Sequence, residues 1–174
     1  PCLAKFGVKS LVSGALLRHP RLFLVARDVW RSAKGVKDPE EALVPFLICP
    51  GGMAIDVGAN RGTYTNVMLS RTRNVISIEP NPECSLVLER LFGQKARVIT
   101  GAASNTTAEV ILRIPDAGSG LATIETSNVS FSGTFKTIKV KTFRIDDLGL
   151  ENVTFIRIDV EGHESSVLEG ALRV

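Results

Sequence analysis

The stretch M-A-I-D-V-G-A-N-R-G, residues 53–62, decides the fold. Its first five residues are apolar apart from Asp56, as in a buried strand, and a turn with two glycines follows. Residues 63 to about 71 then have the spacing of a helix. Glycine permits a tight turn and lets the backbone approach a ligand closely. A strand, a glycine turn and a helix in this order predict the first unit of an open α/β sheet.

The same alternation continues along the chain. N-V-I-S-I-E (74–79) and R-V-I-T-G (97–101) predict the second and third strands, with a helix over 82–92 between them. V-T-F-I-R-I-D (153–159) predicts another core strand, followed by a helix from about His163. Such units give a mostly parallel sheet with right-handed crossovers and flanking helices. Residues 109–114 and 137–143, joined by a Gly/Ser/Thr-rich loop, are β-rich and are expected to extend or flank this sheet.

Length and composition indicate one globular domain, since the chain has 174 residues, 44% hydrophobic and 22% charged. We assign residues 50–174 to this α/β domain and residues 1–49 to a basic helical leader. The leader is expected to contain two helices that meet near His19-Pro20 and a short helix over 40–48. Its basic face is interpreted as solvated, with an acidic surface, RNA or anionic lipid as alternatives. The sheet is expected to be incomplete at the carboxyl-terminal end, because one helix follows the fourth core strand.

Several protein classes are disfavoured by composition. The three cysteines have no metal-type spacing and suggest no disulfide framework, so a reducing, cytoplasmic location is expected. Two histidines without paired spacing argue against a zinc site. No metal is predicted, with a divalent cation on Asp159, Glu161 and Glu164 as the alternative. No apolar stretch approaches the roughly 18 residues needed to span a bilayer.

Acidic and small residues follow the predicted strands. Asp56 stands where a dinucleotide fingerprint has glycine, which argues against a pyrophosphate and suits a ligand with an ammonium group, such as the amino-acid part of S-adenosylmethionine. Glu79, 23 positions later, is expected to accept ribose hydroxyls. Small residues at 101–104 leave room for adenine, and Asp159 ends the next core strand. The carboxyl ends of these strands should converge on one rim of the sheet.

Residues 53–171 together resemble the FkbM family of S-adenosylmethionine-dependent methyltransferases. The resemblance rests on M-A-I-D-V-G-A-N-R-G-T-Y-T, V-I-S-I-E-P-N-P, V-I-T-G-A-A-S, K-V-K-T-F-R-I-D-D-L and F-I-R-I-D-V-E-G-H-E-S-S-V-L-E-G-A, in this order. It implies a Rossmann-like methyltransferase fold, S-adenosyl-L-methionine as cofactor, and methyl transfer to a hydroxyl of a sugar or secondary metabolite.

The resemblance also implies roles for individual residues. Cofactor binding falls to residues of the first three motifs and to the end of the fourth core strand: Asp56, Gly58, Asn60 and Gly62 at the methionine part, Glu79 at the ribose, Ala102, Ala103 and Ser104 at the adenine, and also Tyr64 and Asp159. Asp159, Glu161 and His163 would lie beside the transferred methyl group as catalytic residues. His163 is the candidate general base because its unperturbed pKa is near neutrality, with a structural or solvated histidine as the alternative.

Other functions remain open at this point. The same fold can serve a non-catalytic module that binds S-adenosylmethionine or another nucleoside. A nicotinamide-dependent oxidoreductase is disfavoured by the altered glycine pattern. A nucleic-acid methyltransferase is disfavoured because the 159–163 motif lacks an aromatic platform for a flipped base. A small-molecule or carbohydrate acceptor is therefore expected, with no nucleic-acid partner.

Overall fold

A computed structural model describes residues 19–35, 38–116, 119–125 and 134–174. The chain divides into two compact units, residues 1–42 and residues 43–174. The division predicted between residues 49 and 50 stays a prediction.

The first unit contains helix α1, Pro20–Ala33, and a 3-10 turn, Pro39–Ala42. Proline suits the first turn of a helix because its missing N–H would have no partner there. Arg31 on α1 binds the Glu41 carboxylate, with 3.0 Å between Nη1 and Oε2. The predicted start of a helix near Pro20 is confirmed, whereas the helix predicted before it lies outside the described residues.

The second unit holds the remaining helices and strands. In chain order they are α2 Val44–Leu47, β1 Met53–Val57, α3 Thr63–Met68, β2 Val75–Glu79, α4 Pro82–Phe92, β3 Arg97–Thr100, β4 Ala102–Ala103, β5 Glu109–Pro115, β6 Phe135–Phe143, β7 Val153–Ile158 and α5 Glu164–Glu169. Two further 3-10 turns cover Ser119–Leu121 and Ile145–Leu148.

Four parallel strands form the central sheet, in the order β3-β2-β1-β7. Ile55 of β1 pairs with Ile76 of β2 on one side and with Ile156 of β7 on the other. Ile55 and Ile76 are at most 3% exposed, which is typical of strands covered on both faces. The predicted α/β class is confirmed, with a mainly parallel sheet and flanking helices in a Rossmann-like arrangement. All four carboxyl ends therefore lie along one rim.

The segments expected to extend or flank the central sheet form a second sheet, in the order β4-β6-β5. β5 and β6 pair antiparallel from Glu109↔Lys141 to Pro115↔Phe135, and β4 pairs with β6 in parallel. Leu112, Val140 and Ala102 make a small core of their own. In the chain, β4 follows β3 after one residue, Gly101. The first strand of the second sheet therefore begins at the rim of the central sheet.

The single short helix predicted over residues 40–48 is wrong, because the structure has a 3-10 turn followed by α2. Pro45 lies in the first turn of α2. A continuous helix would lose the hydrogen bond that proline cannot donate, and the ring would clash with the carbonyl of Glu41. The helix therefore restarts at Val44. Among the described residues, no helix is long and apolar enough to cross a membrane.

Candidate active site

The turn between β1 and α3 is built from left-handed backbone. Gly58, Asn60 and Gly62 have φ values of +77°, +48° and +78°. A Cβ at Gly58 would lie 1.9 Å from the carbonyl oxygen of Asp159, so only glycine lets the ends of β1 and β7 approach this closely. A Cβ at Gly62 would lie 2.4 Å from a ring carbon of Phe92. Both glycines are required for packing within the protein.

Asp56 is fully buried beneath this turn. Its Oδ2 accepts a hydrogen bond from the Thr65 hydroxyl at 2.7 Å, and its Oδ1 lies 3.3 Å from Nη1 of Arg157. The Thr65 hydroxyl also lies 2.9 Å from that of Ser77. Burial raises the pKa of Asp56, and the charge of Arg157 and the Thr65 hydrogen bond oppose that rise. Asp56 thus joins β1 to α3 and β7 through bonds inside the protein.

Glu79 ends β2 and is 5% exposed. Its Oε2 accepts the backbone N–H of Asn60 at 2.7 Å, and its Oε1 accepts that of Asn81 at 2.8 Å. Burial raises the pKa of Glu79 to about 7, against the lowering effect of these two backbone donors. Each carboxylate oxygen has a second lone pair and can accept one further hydrogen bond. The turn after β1 and the tip of β2 are therefore held together at one carboxylate.

Arg157 of β7 links three of the predicted site residues. Besides its contact with Asp56, its guanidinium bonds the Asp159 carboxylate and lies 4.1 Å above the centre of the Tyr64 ring. A cation over an aromatic face is attracted by the ring quadrupole. Sequence reasoning missed Arg157, although a lone charged residue inside an apolar strand was a signal for it.

The small residues after β3 are buried, with Ala102 at 6%, Ala103 at 2% and Ser104 at 4% exposure. Ala102 and Ala103 pair with β6, and the Ser104 N–H donates to the carbonyl of Phe143 at 2.9 Å. The Ser104 hydroxyl lies 2.9 Å from Nε2 of His163. This contact joins the end of β4 to the loop after β7.

His163 precedes the first residue of α5, as predicted from the sequence. Its side chain is 12% exposed and both ring nitrogens have partners. Nε2 contacts Ser104, and Nδ1 lies 2.5 Å from Oε1 of Glu125. Sequence reasoning missed Glu125, which lies in the Gly/Ser/Thr-rich loop where no periodic pattern marks a position.

The acids after β7 have different surroundings. Glu161 has a φ of +53°, and burial raises its pKa, with Asp159 and Glu164 adding to the rise. Glu164 accepts the backbone N–H groups of Val160 at 3.2 Å and Gly162 at 3.1 Å. Burial raises its pKa, but backbone N–H groups and His163 outweigh that effect, so the pKa lies below its usual range. In the described part of the chain, no three His, Cys, Asp or Glu residues are grouped to hold a metal ion.

Residues 56–174 match the sequence profile of the methyltransferase FkbM domain, which is more than half of the chain. The chain belongs to the FkbM methyltransferase family. The recognition made from the sequence is confirmed. Methyl transfer is the activity for which the family of this chain is named.

A curated relative of this FkbM-family chain is the hexuronic acid methyltransferase AglP of Haloferax volcanii, 30% identical over 124 residues. The match covers 66% of the chain and 48% of AglP, so the chain spans about half the length of this relative. Among solved structures, the YcgJ protein of Bacillus subtilis matches with a TM-score of 0.33 and 16% identity, covering 36% of the chain and 30% of YcgJ.

The structure brings the predicted rim residues of this FkbM domain into one connected group. Asn60 bonds Glu79, the Gly58 turn packs on Asp159, and Ser104 contacts His163. These three contacts join the carboxyl ends of β1, β2, β4 and β7. The individual ligand-binding and catalytic roles predicted for these residues remain proposals.

Proposed function

We propose that this FkbM domain binds S-adenosyl-L-methionine along the rim and transfers its methyl group to a hydroxyl of a sugar-like acceptor. The observation that carries the proposal is the Glu79 carboxylate, nearly buried at the tip of β2 beside the Asn60 turn. With one backbone donor on each oxygen, this carboxylate can accept two further hydroxyl donors, as a ribose diol supplies.

The other residues of the rim fit the rest of such a nucleoside. Ala102, Ala103 and Ser104 are small residues just after β3, so they would leave room for a flat adenine, with the Ser104 hydroxyl as a polar contact. Gly58, Asn60 and Gly62 would form the backbone wall at the methionine part, with Tyr64 behind it. Asp56 would act there through the turn that it supports, because Thr65 and Arg157 already bind its carboxylate.

The bound sulfonium would supply an electrophilic methyl carbon. His163 would take the proton of the acceptor hydroxyl at Nε2 as the oxygen bonds to the methyl carbon and the carbon–sulfur bond breaks, leaving its electron pair on sulfur. Asp159, held by Arg157, would border the acceptor together with Glu161. Alignment of the acceptor oxygen with the methyl carbon is the main contribution we assign to the rim, because positioning alone lowers such barriers by several kcal/mol, about 7–11 in favourable cases.

A carbohydrate acceptor is proposed because the relative AglP is named a hexuronic acid methyltransferase. A sugar offers several hydroxyls, so the face next to His163 would select which oxygen reacts.

Calorimetric titration with S-adenosylhomocysteine at pH 8 tests the binding part. We expect Glu79→Gln to weaken binding about tenfold to hundredfold, because hydrogen bonds to a charged acceptor contribute about 1.5–3 kcal/mol. Glu83→Gln is the matched control, since Glu83 is 77% exposed and bonds Lys136 at the surface. Equal affinity of the wild-type protein and Glu79→Gln would refute the placement of the ribose.

A further inference from the structure

His163 is held at both ring nitrogens by side chains that are far apart in the sequence. Ser104 at the end of β4 lies 2.9 Å from Nε2, and Glu125 in the loop between β5 and β6 lies 2.5 Å from Nδ1. Ser104 is 59 residues and Glu125 is 38 residues from His163. Two separate segments therefore fix the plane of one imidazole.

The chemistry of the partners sets the proton on the ring. An ionised carboxylate only accepts hydrogen bonds, so contact with Glu125 requires a proton on Nδ1 of His163. In the neutral ring the lone pair is then on Nε2, which can accept the proton of the Ser104 hydroxyl at 2.9 Å, and the same hydroxyl lies 3.4 Å from Oδ1 of Asn105. Glu125 thus selects the tautomer that leaves Nε2 able to accept a proton.

The backbone of Glu125 is itself fixed by two hydrogen bonds. Its N–H donates to the Thr123 hydroxyl at 3.0 Å, and its carbonyl accepts from Arg113 at 3.2 Å. The Thr123 hydroxyl in turn donates to the carbonyl of Glu161 at 2.9 Å, and Thr123 is 2% exposed. The loop that carries Glu125 is therefore tied to the loop that carries His163.

The neighbouring carboxylates have other partners. Asp159 binds Arg157, and Glu164 binds the backbone N–H groups of Val160 and Gly162. Within the described residues, Glu125 is the carboxylate in hydrogen-bond contact with the His163 ring. Glu164 interacts with His163 through its charge, whereas Glu125 bonds the ring directly.

We propose that Glu125 is the positioning residue of His163 in the methyl-transfer step, an inference that rests on the proposed function. When the acceptor hydroxyl replaces the Ser104 hydroxyl at Nε2, its proton moves to Nε2 and the ring becomes an imidazolium. The Glu125 carboxylate stabilises this charge at Nδ1 and keeps the ring facing the acceptor. Ser104 holds the ring in the same plane until the acceptor arrives.

The first test reads the tautomer of the neutral histidine rings directly by ¹⁵N NMR. His19, the other histidine of this chain, is an internal reference. We expect His163 of the wild-type protein to carry its proton on Nδ1, and Glu125→Ala to move the population toward Nε2–H, with His19 unchanged. An unchanged His163 tautomer in Glu125→Ala would overturn the inference, whatever the activity.

The second test measures turnover. Glu125→Ala should lower kcat for methyl transfer about tenfold to hundredfold and leave the affinity for S-adenosylhomocysteine unchanged, with part of the rate restored in Glu125→Asp. Glu109→Ala is the control, because Glu109 bonds Lys139 on the exposed face of β5. Full kcat in Glu125→Ala, or a loss of cofactor affinity equal to the loss of kcat, would overturn a positioning role.

The two tests separate this inference from the proposed function. If the wild-type protein does not bind S-adenosylhomocysteine, the proposed function fails, and the tautomer measurement still decides whether Glu125 positions His163. If cofactor binds and Glu125→Ala changes both the tautomer and kcat, both proposals are supported.

Discussion

Glu79 joins two backbone segments at the tip of β2, and its ionisation should govern ligand binding. Its pKa is raised from 4.5 to about 7 in the folded protein, so between these values the folded state holds a proton that the unfolded state has lost. Stability from this group is therefore greatest below the unfolded value and declines as the pH rises toward about 7. Ribose hydroxyls need the ionised carboxylate as acceptor, so binding should change in the opposite direction.

We expect the affinity for S-adenosylhomocysteine to rise about tenfold between pH 6 and pH 8, as the ionised fraction of Glu79 increases. Calorimetry at several pH values measures this. The Glu79→Gln protein should bind weakly with a much flatter pH profile. An equally steep profile in Glu79→Gln would show that another group causes the dependence.

His163 is the side chain on which the proposed chemistry depends. His163→Ala should lower kcat about 10²- to 10⁴-fold, the usual contribution of a general base. Cofactor affinity should change little, because the proposed role of the ring is at the acceptor. Steady-state kinetics with calorimetry for cofactor binding distinguish the two effects. If His163→Ala methylates an acceptor with the kcat of the wild-type protein, the role of His163 is structural.

At the level of strands, the approach of β1 to β7 is set by Gly58. Gly51 has nearly the same backbone, with a φ of +76° against +77°, but nothing lies within 4 Å of a Cβ added there. Alanine at either position should cost about 1–2 kcal/mol for left-handed backbone. Gly58→Ala should cost about 1–3 kcal/mol more, because the new Cβ would meet the carbonyl oxygen of Asp159.

Urea unfolding of the two alanine variants measures this difference. The comparison cancels the backbone cost and leaves the contact between β1 and β7. Equal free energies of unfolding would mean that the ends of the two strands separate easily, and the rim would then be less rigid than this structure indicates.

Across the domain, the sequence predicted the positions that depend on strand order. Asp56 and Glu79 lie at the carboxyl ends of β1 and β2, and Asp159 follows β7. Parallel strands bring these ends to one rim, so the proximity of the three acids required only the βα pattern. Gly58 and Gly62 could be recognised as turn residues because glycine is the residue type that a tight turn favours. The same reasoning placed His163 at the start of a helix, as the structure has it.

The contacts between side chains could not be read from this pattern. Glu125 lies in a polar loop, and its contact with His163 depends on how β5 and β6 pair as a separate sheet. In the sequence, nothing distinguishes Thr65 from the neighbouring helix residues. Only the fold shows that it is buried against Asp56. Arg157 alone carried a signal, as a charge within an apolar strand. Periodicity locates strands and helices, whereas these partners are set by tertiary packing.

The most direct test is methyl transfer itself, followed by NMR with S-adenosylmethionine labelled with ¹³C in the transferred methyl group. The protein is incubated with a panel of acceptors that includes hexuronic acids and neutral sugars. We predict a new ¹³C signal of a methyl group bonded to oxygen, strongly reduced in His163→Ala. A labelled methyl on nitrogen or carbon, or bound cofactor with no transfer to any hydroxyl of the panel, would contradict the account.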